Sequence, residues 1–196
     1  MLGYAVTGRI RTSEPPMKGS CYYDRMDWWS YLASLPEPRV MVIEDVDDPP
    51  GVGAFVGEIH AAIGKALNCV GCVTNGAVRD LVSVKALGFS LFAGSVAVSH
   101  SYAHIIDFGG PVEVGGLIVR PGELIHGDRN GVHVIPLEVA EDVPGVARRI
   151  QDEERELMGF CRSRDFSLQA LSLRMQSISK DGQPSPSLIA VPTPTK

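Results

Sequence analysis

The spacing of apolar positions changes several times along the chain, and each change predicts an element. Residues 4–10 set Tyr4, Val6, Gly8 and Ile10 against Ala5 and Thr7, a two-residue period that predicts a strand. Trp28, Leu32 and Leu35 then fall at helical spacing within 24–35, and Pro36 stops that helix. Residues 40–43 are continuously apolar, the pattern of a strand buried on both faces. Ile59, Ala62, Ile63, Ala66 and Leu67 make one helical stripe. A strand over 70–74 and a short helix carrying Leu81, Val84 and Leu87 follow. From residue 89 the candidates are short strands, at 89–93, 96–99, 111–114, 117–119, 123–126 and 132–135, with glycines between them. Asp142 and Pro144 then start a helix whose buried side carries Ala147, Ile150, Leu157 and Cys161. Leu168, Leu171, Met175 and Ile178 mark another helix, and the Pro- and Ser-rich stretch after Lys180 reads as a loose tail. This is an α/β chain with a glycine-punctuated sheet or barrel and flanking helices.

Composition narrows the function classes. The 196 residues suit one domain with a tail, and 44% hydrophobic with 21% charged residues is ordinary for a globular protein. The net charge of -5, with no basic block, gives no electrostatic footprint for nucleic acid. No apolar run approaches the roughly 18 residues of a membrane span, and the first ten residues lack a signal-peptide layout. The chain therefore reads as cytoplasmic, with no membrane partner. Cys69 and Cys72 form a lone C-x-x-C, without the second ligand pair a zinc site needs, and read as core thiols on near-opposite faces of their strand. The four acids of 44–48 read as a solvated loop before Pro49 and Pro50. Trp28 and Trp29 read as packing anchors.

The candidate chemistry gathers at residues 51–80. Gly51-x-Gly53-x-x-x-Gly57 lies between a strand and a helix, superficially like a dinucleotide fingerprint. Seven residues separate strand from first glycine, and the next strand ends in Thr74-Asn75 with no acid for a ribose, so a nucleotide is disfavoured. Glu58 opens the helix, where an acid offsets the positive end of the dipole. Asn75-Gly76 is expected to reverse the chain, and Arg79-Asp80 follows, with twenty residues between Glu58 and Arg79. One carboxylate for a hard divalent cation, one to hold its water and one guanidinium for a substrate carboxylate make a coherent set. His100-x-x-x-His104 has the spacing of a helical zinc pair, but the region is β-rich and no Glu stands between them.

These residues carry a resemblance. Gly71-Cys-Val-Thr-Asn-Gly-Ala-Val-Arg79-Asp80, with Glu58 upstream, resembles the RraA-like family, which includes the class II 4-hydroxy-4-methyl-2-oxoglutarate aldolases. Pro121-Gly-Glu-Leu-Ile-His-Gly-Asp128-Arg-Asn-Gly131-Val-His-Val-Ile-Pro136 resembles a later family segment, and Gly3-Tyr-Ala-Val-Thr a family strand. The resemblance implies a layered β/β/α domain of the swivelling type over 1–162, with 163–196 as a partly helical extension ending in the tail. It implies a homotrimer or a hexamer with sites between subunits. Glu58 stands where the best-known aldolases have Asp, and set against the family the chain is expected to lack the helical segment that usually precedes the first strand.

For the site, the resemblance implies that Asp80 ligates Mg²⁺ or Mn²⁺ directly and that Glu58 reaches it through a water. Arg79 would clamp the carboxylate of a 2-oxo acid, with the backbone amides of Ala54, Phe55, Val56 and Gly57 completing the anchor. His100 and Asp128 are candidates for outer positions. The implied activity is retro-aldol cleavage to pyruvate, with oxaloacetate decarboxylation through the same enolate. The other activity the family implies is non-catalytic binding of a ribonuclease or another large partner.

Overall fold

A computed structural model describes residues 1–16 and 25–180. The tail expected after Lys180, and Cys21, lie outside those residues. The chain divides after Glu141 into two compact units.

In the first unit the predicted first strand, β1 (Leu2–Arg11), lies inside the main sheet. It runs parallel to β2 (Arg39–Asp45), pairing Tyr4 with Arg39 through Ile10 with Asp45. Parallel pairing continues from β2 to β4 (Cys69–Val78), and β4 carries both β3 (Ala54–Val56) and β5 (Ser90–Val96) parallel to itself. The opposite side of β1 is antiparallel, with β9 (Leu124–Asp128) along one end and β6 (His104–Phe108) along the other. A hairpin joins β9 to β10 (Gly131–Ile135), and β7 (Val112–Val114) and β8 (Leu117–Val119) form a separate two-stranded ribbon.

Three helices cover one face of this sheet and the ribbon covers the other. Val6, Ile10, Met41, Ile43 and Cys72 pack with Trp28 and Leu32 of α1 (Arg25–Ser34), Ala61 of α2 (Glu58–Ala66) and Val84 of α3 (Leu81–Ala86). Ala5, Val40, Val42 and Val73 pack with Val112, Val114 and Val119 of the ribbon and with Ile125. The alternation of β1 and β2 thus feeds two cores, which is why β2 is apolar without a break. The architecture is the expected β/β/α layering.

One buried cation ties the helices to the sheet. Arg39, only 5% exposed, donates Nε to Leu35 O (2.8 Å), Nη2 to Ala33 O (2.8 Å) and Nη1 to Leu67 O (2.6 Å). These carbonyls belong to the C-terminal ends of α1 and α2, where helices leave acceptors unmet and favour positive charge. Glu37 adds an ion pair at 3.1 Å.

Several local expectations are corrected. Asn75-Gly76 is no reversal: β4 runs through it to Val78, with the register against β5 shifting between Thr74 and Ala77. The strand expected at 89–93 runs on to Val96 as β5, residues 97–99 are not strand, and β6 was not foreseen. Cys69 and Cys72 do sit in the core, but in the same layer rather than on opposite faces. The reason is an extra residue, Val70, between the pairs Arg39↔Cys69 and Val40↔Gly71, which resets the alternation. Burial pushes the Cys69 thiol up to about 12 and that of Cys72 higher still. The acids of 44–48 are not all solvated. Asp45 is 2% exposed and the Asp47 side chain 5%; both accept backbone N–H groups, and Asp47 also pairs with Arg11 at 3.4 Å.

The second unit holds α4 (Val143–Cys161) and α5 (Leu168–Lys180). Cys161, expected on the buried side of α4, is exposed, and Phe160 is buried instead. The Phe160 ring packs at 5.6 Å from that of Phe166 and carries the Arg174 guanidinium 4.5 Å above its centroid.

Candidate active site

The end of β4 brings the charged pair to the start of α2. Arg79 N–H donates to Val56 O (3.0 Å), which fixes the last residue of β3 against the turn. Asp80 then takes a left-handed conformation, φ 58°, before α3 begins. No side chain caps α2 from its own N-cap, Gly57; the Asp80 carboxylate does so from a distance, accepting the Glu58 N–H at 3.0 Å. A negative charge there is favoured by the helix dipole. The same Oδ2 lies 3.6 Å from Arg79 Nε. One carboxylate oxygen therefore faces both a helix N-terminus and a guanidinium.

This closeness needs Gly57. A Cβ on Gly57 would stand 2.6 Å from Asp80 Oδ2 and 2.9–3.0 Å from Arg79 Cγ and Nε. Gly57→Ala should therefore push the pair apart. We expect it to lower any activity of this site by about 100-fold, the penalty of an ångström-scale misplacement, while the circular dichroism spectrum stays native.

A cleft of about 270 Å³ opens beside this junction, lined by Ala54, Phe55, Gly57, Ile59, His60, Arg79, His100 and Ala103. Of the residues expected at the site, Ala54, Phe55, Gly57, Arg79 and His100 share this lining. Val56 is buried and outside the lining, Asp80 is outside it but pairs with Arg79, and Glu58 is exposed at the start of α2. Asp128 is not brought here. It ends β9, where its carboxylate accepts Asn130 N–H at 2.8 Å. Ile59, His60 and Ala103 are additions. His60 had a sequence signal only in its nearness to Glu58; its ring packs 4.9 Å from Phe55 and 5.6 Å from Trp29. Within the described residues no three His, Cys, Asp or Glu side chains converge as a metal cage.

The buried acids hold the wall of the cleft. Asp45 Oδ2 accepts Gly51 N–H (2.8 Å), and Thr12 Oγ1 accepts Gly53 N–H (3.2 Å), so the loop before β3 hangs from β1 and β2. Asn75 accepts Asp45 N–H through Oδ1 (2.7 Å) and donates Nδ2 to Asp45 O (2.9 Å), adding β4 to the mesh. Burial raises the Asp45 carboxyl above its ordinary range, against the bonds from Gly51, Asp47 and Thr12. Asp47 is also pushed up by burial, but the bonds from Thr12 and Ser13 outweigh this and hold it below the ordinary range.

The signs for stability differ. Asp47, with its folded value depressed, stabilises fully above its unfolded value of about 3.9. That contribution is lost as pH falls through the lower folded value. The part set by Asp45 is largest at low pH and fades as pH rises through its raised folded value. Asp47→Asn should therefore weaken the fold at pH 7 and flatten the loss of stability below about pH 4. Urea midpoints across pH 3–7 check this.

Comparison with known proteins fixes the family. The Aldolase/RraA model, RraA-like, matches residues 1–134. The chain belongs to the Aldolase/RraA family. Within that family it is 38% identical over 106 residues to a protein of Halalkalibacterium halodurans that carries the provisional name 4-hydroxy-4-methyl-2-oxoglutarate aldolase, covering 53% of this chain and 50% of that one. It is 30% identical over 134 residues to an uncharacterised protein of Methanocaldococcus jannaschii, covering 67% and 64%. The chain thus spans half to about two thirds of these two relatives' length. Among solved structures, an uncharacterised protein from Pseudomonas syringae superposes with a TM-score of 0.67 at 23% identity, covering 90% of this chain and 76% of that one. Streptomyces coelicolor RraAS2, described as an unusual member of the RNase ES inhibitor RraA protein family, gives 0.63 at 22%, covering 81% and 77%. These last two likenesses show an RraA-type fold.

The donor set bears on a metal. Asp80 accepts one helix N–H through Oδ2, and no other bond to its carboxylate exists among the described residues beyond the Arg79 pair. A single aspartate with one more carboxylate, that of Glu58 whose backbone N–H it caps, suits Mg²⁺ or Mn²⁺, which keep most of their waters. It does not suit an ion that needs three or four side-chain ligands.

Proposed function

We propose that this protein is a divalent-cation-dependent lyase. It cleaves a 4-hydroxy-2-oxo acid of the 4-hydroxy-4-methyl-2-oxoglutarate type to pyruvate by a retro-aldol reaction, and decarboxylates oxaloacetate through the same enolate. The observation that carries this reading is the Arg79–Asp80 junction. A carboxylate pinned to a helix start stands beside a guanidinium that lines a small cleft. The family and the aldolase-named relative support it.

Arg79 binds the 2-oxo acid carboxylate through its planar fork, which matches a carboxylate in two parallel hydrogen bonds. The backbone of Ala54 to Gly57, anchored by the Asp45–Thr12 mesh, lines the carboxylate end. Phe55, Ile59 and Ala103 exclude water from the carbon skeleton. Asp80 would hold the Mg²⁺ or Mn²⁺ and Glu58 would orient it through a water. A cation held by these residues would supply Lewis acidity for the charge that develops as the bond breaks. The proposal includes a cytoplasmic homotrimer or hexamer.

The test is pyruvate release from 4-hydroxy-4-methyl-2-oxoglutarate and from oxaloacetate, with Mg²⁺, with Mn²⁺ and with excess chelator. Release that requires the cation and exceeds the free-ion background supports the reading. Arg79→Lys should cut kcat/KM by about 100-fold, because a point charge cannot reproduce the fork. A second reading, a binding protein that regulates a ribonuclease, is favoured by the RNase-inhibitor description of a fold neighbour. Folded protein with no turnover under any condition would select it.

A further inference from the structure

The reading above leaves one proton without an acceptor, that of the substrate's 4-hydroxyl. We propose that His100 takes it: His100 Nε2 is the general base of the cleavage. This inference rests on the lyase reading and deepens it.

The first observation is the tautomer. His100 Nδ1 lies 2.7 Å from Ser101 O. A carbonyl oxygen only accepts, so Nδ1 carries the hydrogen. In the neutral ring the lone pair then belongs to Nε2, the arrangement of a base.

The second is the way the residue is held. Its turn is fixed from both sides, by Ala54 N–H to Ser99 O (3.0 Å), Ser101 N–H to Ser99 Oγ (3.1 Å) and Ala103 N–H to His100 O (2.9 Å). Ser101 adopts φ 46°, a left-handed conformation that is costly for a residue with a side chain. A Cβ on Gly53 would come within 2.4 Å of His100 O and 2.8 Å of Ser101 Cβ. Only glycine lets the turn press so closely on the cleft wall. Strain and close approach spent on an exposed turn point to a placed side chain, and His100 lines the cleft that Arg79 lines.

The third is elimination. The titratable groups that line the cleft are His60 on α2, Arg79 after β4, and His100. The His60 ring is packed against Phe55 and Trp29. Arg79 offers only donors and no lone pair. Asp80 Oδ2 is committed to Glu58 N–H and Arg79, and Glu58 is outside the lining. His104 turns Nδ1 to Tyr102 O and is also outside it.

The step balances. Nε2 removes the proton from the C4 hydroxyl, and the C4–O electrons form the new carbonyl as the C3–C4 bond breaks. That bond's electron pair becomes the C2–C3 double bond of the enolate, with the charge on the C2 oxygen. The imidazolium returns the proton to C3, giving the methyl group of pyruvate.

Oxaloacetate offers the control, because its decarboxylation breaks C3–C4 with no hydroxyl proton to remove. The experiment compares wild type with His100→Asn, whose amide can still donate to Ser101 O but is no base. With Mg²⁺ present, kcat for 4-hydroxy-4-methyl-2-oxoglutarate and for oxaloacetate are measured across pH 5–9. The expected result is a fall of about 100-fold in the ratio of cleavage to decarboxylation, the scale of general-base catalysis. The acidic limb of the cleavage profile should vanish in the variant, and added imidazole should restore part of the cleavage in His100→Ala. An unchanged ratio in an active variant overturns the proposal alone, and so does an equal loss of both reactions, which marks a structural role. Wild type inactive on both substrates overturns the lyase reading and this proposal together.

Discussion

Asp80→Asn should reduce cation-dependent pyruvate release by about 10²–10³-fold, the scale of removing one preorganised electrostatic partner. It should leave the fold unchanged. Asparagine is the informative replacement because Asp80 sits at φ 58°. Asn tolerates the left-handed region better than other side-chain-bearing residues, and its amide oxygen can still accept the Glu58 N–H that Asp80 caps now. What it loses is charge, and with it affinity for a hard cation and the attraction to Arg79. Steady-state kinetics over a range of Mg²⁺ concentrations, beside a thermal melt, separate the two roles. Full turnover in Asp80→Asn would show that the carboxylate is only a helix cap.

The largest stability effect is expected at Arg39→Met. Methionine keeps much of the apolar stem and removes the guanidinium. The carbonyls of Ala33, Leu35 and Leu67 then lose their donor at once, in a place that is almost fully buried. Unmet buried acceptors cost about 1–3 kcal/mol each before relaxation. Water entering at the helix ends recovers some of this, and a net loss of about 3–5 kcal/mol is expected. Urea unfolding should show a lower midpoint with an unchanged slope. Arg39→Lys should recover little, since one ammonium cannot span three carbonyls on two helices. A variant within 1 kcal/mol of wild type would mean that solvent already satisfies these carbonyls.

The sequence made the fold legible where period and burial agree. β1 and β2 feed two cores and show it in their patterns. The stripe of α2 does not follow burial: Ile59, Ala62, Ile63 and Ala66 are exposed, and the helix buries Ala61 and Gly64. The sequence misled where a side chain takes over a backbone task. Asn75-Gly76 has the composition of a turn, yet Asn75 bonds both backbone groups of Asp45, and the strand shifts register and continues. Asp45 and Asp47 have the composition of a solvated loop, yet backbone N–H groups of the adjoining turns bond their carboxylates in the interior. Val70 looks like any strand valine, and only the register reveals the extra residue that moves Cys72 to the side of Cys69. At the candidate site, Gly57, Arg79 and Asp80 were visible because local chain order places them. His60 and Ala103 were not, because α1 packing and the 99–103 turn bring them in.

The position of β1 also sets a timetable for synthesis. It is made before the other strands of this sheet, and its antiparallel partner β9 lies more than a hundred residues later, Arg11 to Leu124. At about 5–20 residues per second, one edge of the nascent sheet waits roughly 5–25 s for its neighbour. The parallel half, β1 with β2 and β4, has its strands in hand by residue 78. The sheet is thus assembled outward from one side, and the last strands to emerge close the side exposed longest on the ribosome.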